Sequence, residues 1–487
     1  MMFLLKPAHK MQTALLLTAA AGLGACANLN AIQSDIKDRF TAPPTPVQAQ
    51  MTESVKAPDA AWVEVAPGRL PTTDWVSHIG SAPLGALVDE ALSANTNINA
   101  ARARMDAARA SAVAAGSDLR PNISLGGRAS HSEFGNSRIG DSNSLGIGPS
   151  VSWEPDLWGR IRDGADAGQI ELDASRADYA AARLSVAGQT AQSWFDLIEA
   201  KLLLDLAEKN TLTQERALRL TQRRFESGLV GAADVRLARS SVASAKAGAA
   251  SREQARAAAA RRLEIILRRY PASAISAATD LPPLPALEGA GAPGDIFARR
   301  PDLLAAEQRL AGQGLRIDIA RKNLLPRITL TGDGDLSASD ISELFDINAL
   351  VASIAASLAA PIYQGGALRA EVERNEALLR AQIENYAGDV LQAYLEIENA
   401  LDAEQQLQLR EAALRVSLDE AQQAEARLAD RYAEGLASIL QLLDAQSRAI
   451  NAESSLISAR KERLANRVRL HLALGGGQFG YLPPQPA

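Results

Sequence analysis

A single cysteine, Cys26, stands among the 487 residues. An internal disulfide is therefore excluded, and the thiol needs another explanation. Histidine is almost as scarce: His9, His78, His131 and His471 are isolated from one another in sequence. No HExxH, GxSxG, P-loop or CxxC spacing is present, so the chain offers none of the convergent chemistry an enzyme needs. It reads as a non-enzyme without metal or other cofactor. Aromatic residues make up only 4% of the chain, which argues against a sandwich or enzyme core rich in Phe and Tyr. Past the N-terminal segment no apolar run reaches the ~18 residues of a membrane-spanning helix, so any membrane crossing has to be a β-barrel. No block of like charge occurs and the formal net charge is −6, which leaves no basic face for nucleic acid.

What the chain has in quantity is Ala, Leu, Arg, Glu and Gln, a mixture suited to long packed helices. Residues 1–25 read as a processing segment. Lys6, His9 and Lys10 form a basic start, and Ala14–Ala21 is an apolar run too short to span a bilayer. It leads into Leu23-Gly24-Ala25-Cys26, the spacing of a bacterial lipobox, in which the cysteine is diacylated and the preceding peptide removed. The alternative is an ordinary signal peptide with a chance cysteine. Acylation at Cys26 would anchor the protein in outer-membrane lipid without spanning it, and Ala27 in the next position is compatible with that destination. Residues 26–83 then form an anchored, extended segment.

The middle of the chain is written twice. Asn95–Met105 aligns with Arg300–Leu310, and Leu119–Leu125 with Leu324–Leu330, at an offset of 205; Arg224–Leu229 aligns with Arg431–Leu436 at 207. Gln192–Leu197 best matches Gln392–Ile397 at 200, one heptad away, a slip that keeps the same helix face inward. The first repeat is 84–270, the second 295–475; a Pro-, Ala- and Gly-rich linker, 271–294, joins them and 476–487 form a C-terminal tail.

Each repeat predicts the same elements. A helix (84–118, then 295–325) ends before a proline, which disfavours helix at the residue ahead of it. Two strands follow, 122–131 with 144–154 and 327–336 with 349–360. Ile123, Leu125 and Gly127 alternate with Ser124, Gly126 and Arg128, the period of a barrel strand or of a soluble hairpin capping the helices. Proline-free helices then run over roughly 160–228 and 366–434, each about 100 Å long at about 1.5 Å per residue. Second helices return over 232–269 and 437–474. The fold class is mainly α with a small β part. Four strands do not close a barrel, and an open edge cannot sit in lipid; if the strands cross a membrane, several chains contribute them, and three chains supply twelve.

Several short stretches carry a family resemblance: Cys26 in its lipobox, Ser152-Trp153-Glu154-Pro155-Asp156-Leu157-Trp158-Gly159-Arg160, Arg299-Arg300-Pro301-Asp302-Leu303, Arg431-Tyr432 with Gly435-Leu436, Leu442-Leu443-Asp444-Ala445-Gln446, and Leu472-Ala473-Leu474-Gly475-Gly476-Gly477. In this order on a duplicated helical frame, they resemble the TolC-type outer-membrane efflux factors, in the NodT/OprM-like lipoprotein branch. The resemblance implies a homotrimer with a twelve-stranded transmembrane barrel and a periplasmic helical tunnel. It implies as partners a periplasmic membrane-fusion adaptor and an inner-membrane pump, with passive conduction to the exterior. It places adaptor docking at Gly228, Leu229, Val230, Gly435, Leu436 and Ala437, and a periplasmic gate at Asp234, Gln441 and Asp444. Gln441 departs from the acid found there in some members, so the acidic ring is thinner here. Plainer readings stand beside these. Asp234 is also a first-turn acid favoured by the helix dipole, Asp444 a solvated face, and the Gly-Leu turns helix caps with an apolar contact. The rival for the whole chain is a lipid-anchored periplasmic coiled-coil scaffold that never enters the bilayer.

Overall fold

Proline and glycine punctuate this chain, and the elements between them come in the same order twice. The computed structural model describes residues 75–79, 81–133, 142–285, 287, 289–342, 344 and 346–476, all within one compact unit, Val55–Ala487. The first pass runs α1 (Trp75–His78), α2 (Ala82–Ala94), α3 (Thr96–Ser117), β1 (Asn122–Ser132), β2 (Ser142–Trp153), α4 (Arg160–Glu226) and α5 (Ala232–Ile266). The second runs α6 (Ile296–Arg299), α7 (Pro301–Lys322), β3 (Arg327–Ala338), β4 (Leu350–Ala359), α8 (Ala367–Glu434) and α9 (Ile439–Ala473). Cys26 and the processing segment lie outside the described residues.

Two expected helices prove to be broken. In place of 84–118 the chain forms α2 and α3, divided at Asn95. Asn95 is buried; its side-chain oxygen accepts from Asn97 N (2.8 Å) and caps α3, while its Nδ2 donates to Ile266 O (2.8 Å) at the end of α5. In place of 295–325, α6 and α7 part at Arg300, whose extended backbone (φ −81°, ψ 113°) is what the following Pro301 demands.

The long helices hold because no proline interrupts them and because tertiary packing adds to a modest alanine-rich propensity. At 67 residues, α4 rises about 100 Å. It packs against α5, α7, α3, α9 and α2. Its face of Leu184, Ala187, Ala191, Trp194, Phe195 and Ile198 meets Trp75 and Leu84 from α1 and α2, Leu263 from α5, and Leu464 and Val468 from α9. Full burial of each large apolar side chain here contributes roughly 1.5–3 kcal/mol. The small residues permit close approach: a Cβ on Gly188 would lie 2.4 Å from Leu472 Cδ1.

The Trp-Glu-Pro-Asp-Leu-Trp-Gly-Arg stretch is the joint between β2 and α4. Asp156 accepts from Ile161 N (3.1 Å) and Arg162 N (2.8 Å) and so caps α4. Glu154 pairs with Arg160 (2.8 Å). Trp153 Nε1 donates to Leu119 O (3.2 Å) and Trp158 Nε1 to Pro326 O (2.6 Å). Trp158 stays about half exposed (47%).

The linker between repeats is pinned by Glu264, buried at the end of α5, which accepts from Ser273, Ala274 and Ile275 N–H. Burial opposes its charge, but the three donors outweigh burial and hold the carboxyl below its ordinary range. The histidines are not all isolated in space. His471 stacks on Trp75 at 6.1 Å, and His78 lies near enough to act on its charge.

The strands form one antiparallel sheet in the order β1-β2-β3-β4. β2 is an interior strand that contains Pro149, normally excluded there for want of an N–H. β1–β2 pairing continues through Leu125 opposite Pro149, whereas β2–β3 pairing lapses between Ile147 and Ser150. The lapse falls where Gly148 lets the Gly334 carbonyl approach; a Cβ there would stand 1.7 Å from that oxygen.

Candidate functional site

Two places concentrate unusual features: the hairpin turns and the sheet. At the end of α4, Gly228 is left-handed (φ +74°); its N–H donates to Phe225 O (2.9 Å) and that of Leu229 to Arg224 O (2.8 Å). At the end of α8, Gly435 (φ +87°) repeats the geometry: its N–H donates to Tyr432 O (3.1 Å) and that of Leu436 to Arg431 O (2.7 Å). This double closure is the Schellman motif, for which glycine carries no Cβ penalty. Each turn leaves a leucine in the open, Leu229 at 68% and Leu436 at 65% exposure. Val230 and Ala437 are half-buried beside them.

The helices that return from the turns are capped reciprocally. Asp234 N donates to Gly231 O (3.1 Å) and Gly231 N to Asp234 Oδ2 (3.2 Å). In the second copy, Gln441 N donates to Ser438 Oγ (3.3 Å) and Ser438 N to Gln441 Oε1 (2.9 Å). Asp234 and Gln441 are thus the same position of the two copies, both folded back on their own first turn. Asp444 is exposed and paired with Arg448 one turn on (2.8 Å). Asp234 and Asp444 are thus each satisfied on their own helix.

Three residues to which the sequence reading gave no site role join the two turns. Thr221 is fully buried and its hydroxyl donates to Ala217 O (2.8 Å). That uses its one proton, so in the 2.8 Å contact with the Tyr432 hydroxyl the tyrosine donates. Arg224 lies over the Tyr432 ring, 4.9 Å from its centre, and its Nη1 donates to Tyr432 O. Ala217, Tyr432, Ile439 and Leu442 make the small apolar cluster beneath. The first hairpin is thereby fastened to the second. The available signal was the alignment of Arg224-Phe225 with Arg431-Tyr432, which marks the position but not the pairing.

The sheet register resolves its two faces. Ile123, Val151, Gly332 and Ile354 line up across the four strands, as do Gly127, Ile147, Leu336 and Leu350. Between them on the other face run Ser124, Ser150, Asp333 and Ser353, and Asn122, Ser152, Thr331 and Ala355. Ser124 and Ser150 hydroxyls are 2.8 Å apart, and Arg128 reaches across Gly146 to Asp335 (3.2 Å). Both faces of the outer strands are exposed, and on the apolar face that leaves Ile354 92%, Leu125 74% and Ile123 73% bare. A soluble cap would bury such a face; an apolar-out, polar-in alternation is that of a barrel wall. No described helix is long and apolar enough to cross a membrane, and no group of three or more potential metal ligands occurs among the described residues.

The family model described as "Outer membrane efflux protein" matches residues 87–267 and 292–476. The chain is 29% identical over 438 residues to the pyoverdine export outer membrane protein OpmQ of Pseudomonas putida, covering 86% of this chain and 92% of that one. It is 30% identical over 422 residues to the outer membrane protein OprJ of Pseudomonas aeruginosa, covering 83% and 86%. Its fold is similar to that of the solved outer-membrane channel OprN, with a TM-score of 0.80 at 26% identity, over 87% of this chain and 98% of that one.

Proposed function

The chain belongs to the outer membrane efflux protein family, and from that premise we propose that it is the channel subunit of a tripartite efflux system. Three copies bring their four strands together into a twelve-stranded barrel in the outer membrane. The helical hairpins continue it as a tunnel into the periplasm, where a membrane-fusion adaptor links it to an inner-membrane pump. Conduction through the channel is passive, and the pump supplies the energy. The observation that carries this reading is the open sheet with a bare apolar face. Its outer strands β1 and β4 have unpaired edges among the described residues, and a lipid-facing sheet tolerates neither an edge nor an unpaired backbone. The scaffold alternative leaves that face without a purpose.

Residue roles follow from position. Leu229 and Leu436, exposed on rigid left-handed turns, offer paired apolar knobs to an adaptor hairpin, with Gly228, Val230, Gly435 and Ala437 setting their presentation. Asp234, Gln441 and Asp444 form the gate region: a ring of carboxylates in a narrow aqueous entrance lowers the potential for cations. The Arg224–Tyr432–Thr221 fastening holds the two turns together when the entrance is closed. Cys26 is the acylated anchor, and the exporting barrel needs no catalytic residue.

The test is assembly and conductance. The protein in mild detergent is expected to run as a trimer that boiling dissociates, and to give stepwise currents in a planar bilayer. Recovery of a Cys26→Ala chain as a soluble monomer would sink the channel reading. In the Asp234→Ala, Asp444→Ala double variant the single-channel conductance or cation preference is expected to change; unaltered values remove the gate assignment alone.

A further inference from the structure

Between the sheet and the hairpin turns, α4, α8 and α9 part around a cavity of about 330 Å³. Lys209 and Thr213 of α4, Gln422 and Glu425 of α8, and Gln446 and Glu453 of α9 line it. Spacings of three, four and seven put each helix's contribution on a single face. A seam between packed helices is ordinarily filled by apolar knobs. This one is left open and rich in oxygen.

Two things in it are out of balance. The first is charge: two carboxylates from different helices face one ammonium. Lys209 Nζ lies 3.9 Å from Glu453 Oε2, at the outer edge of an ion pair, and the lysine is largely exposed, so it is held loosely. Burial, with the Glu453 charge set against that of Lys209, holds the Glu425 carboxyl above its ordinary range. The second is Gln446. It is only 4% exposed, and its buried Oε1 has no donor among the described residues. A carbonyl oxygen left in that state is costly, and ionised carboxylates, which only accept, do nothing to satisfy it.

Carboxylate and carbonyl oxygens together are the ligands of a hard cation. At about 30 Å³ per water the cavity has room for about ten, so an ion enters with its hydration shell. Ions of the magnesium kind keep several waters and bind through one or two carboxylates. Two acids therefore suffice here, where a dehydrated centre would need a larger set of protein ligands. We propose that this cavity binds a hydrated divalent cation of the magnesium and calcium class, held between Glu425 and Glu453 with the Gln446 carbonyl oxygen as a neutral ligand. Lys209 is its competitor, lending partial neutrality without the ion and swinging into solvent as the ion enters. The bound ion ties α8 to α9 beside α4, the long helix of the first repeat.

The test uses the chelator-treated protein in detergent, with Mn²⁺ as the probe and electron paramagnetic resonance reading the free ion. One ion per chain is expected, displaced by Mg²⁺, with a dissociation constant of about 0.1–1 mM. Glu425→Gln and Glu453→Gln are each expected to weaken binding at least about tenfold, because affinity follows the charge of the ligands. Gln446→Leu is expected to weaken it severalfold. Lys209→Gln is expected to tighten it about fivefold by removing a competing charge, a gain that a misfolded chain cannot imitate. The ion is expected to persist in the Asp234→Ala, Asp444→Ala double variant. Loss of the ion there, with retention in the two glutamate variants, would move it to the turns and overturn the proposal. So would the absence of a bound ion in the parent chain, equal binding in the parent and both glutamate variants, or weaker binding in Lys209→Gln.

Discussion

Four helices here end in the same hydrogen-bond pattern, and only three of them use glycine. α4, α8 and α9 close over Gly228, Gly435 and Gly475, while α5 closes over Arg268 at φ +58°, with Arg268 N on Ile265 O (3.0 Å) and Arg269 N on Glu264 O (2.7 Å). A left-handed non-glycine residue costs about 1–2 kcal/mol. Arg268 is exposed, so Arg268→Gly is expected to relieve that strain, offset in part by the added freedom of the unfolded chain. A net stabilisation of a few tenths to about 1 kcal/mol follows. Gly435→Ala acts in the opposite direction: the new Cβ would meet Arg224 Nη2 at 3.2 Å on a backbone already unsuited to alanine. Its expected cost is about 1–2 kcal/mol, with the turn-to-turn fastening disturbed as well. Thermal melting of the trimer, followed by its helical circular dichroism, should show the two changes moving the midpoint in opposite directions. A shift of the same sign in both would contradict the cap analysis.

At the scale of elements, what the sequence disclosed is what local physics controls. The strands were legible because period-two alternation is a property of consecutive residues, and the long helices because proline is absent from them. The breaks at Asn95 and Arg300 were not, since Asn95 earns its place by reaching Ile266 O, 171 positions away. The Thr221–Tyr432 contact, 211 positions apart, was hidden for the same reason. So was the docking of α1, in which Trp75, buried with Val76 in the main apolar cluster, stacks against His471. Burial, with Arg467, His78 and Arg299 nearby, pushes the His471 imidazole down from 6.5 to about 4. The unfolded form thus takes up a proton that the folded form refuses. The docking is fully stable above pH 6.5 and weakens as pH falls from there towards about 4. Hydrogen exchange at residues 75–79 is expected to quicken over that window, after correction for the intrinsic pH dependence, and to flatten in His471→Gln. A corrected exchange rate that stays constant in the parent protein would show that the stack does not hold α1.

For the whole molecule, the decisive question is which sheet face meets lipid, and neighbouring residues on β4 answer it. Ile354 lies in the row with Val151 and Ile123, and Ser353 in the row with Asp333 and Ser150. An arginine facing lipid near the middle of a barrel strand costs about 2–4 kcal/mol, while one facing the lumen alters selectivity instead. In a trimer the first cost is incurred three times over. Ile354→Arg is therefore expected to abolish the heat-modifiable trimer or its insertion into membranes. Ser353→Arg, placed beside Asp333, is expected to assemble normally and to shift the open channel away from cations, because the added positive charge offsets a lumen carboxylate. The two substitutions lie one position apart and add the same side chain, so the arginine's own charge, size and backbone propensity cannot by themselves account for a difference between them. If Ser353→Arg fails and Ile354→Arg assembles, the faces are reversed. If both chains assemble and neither changes the current, the sheet is not the wall of the pore, and the closing of twelve strands from three copies falls with it.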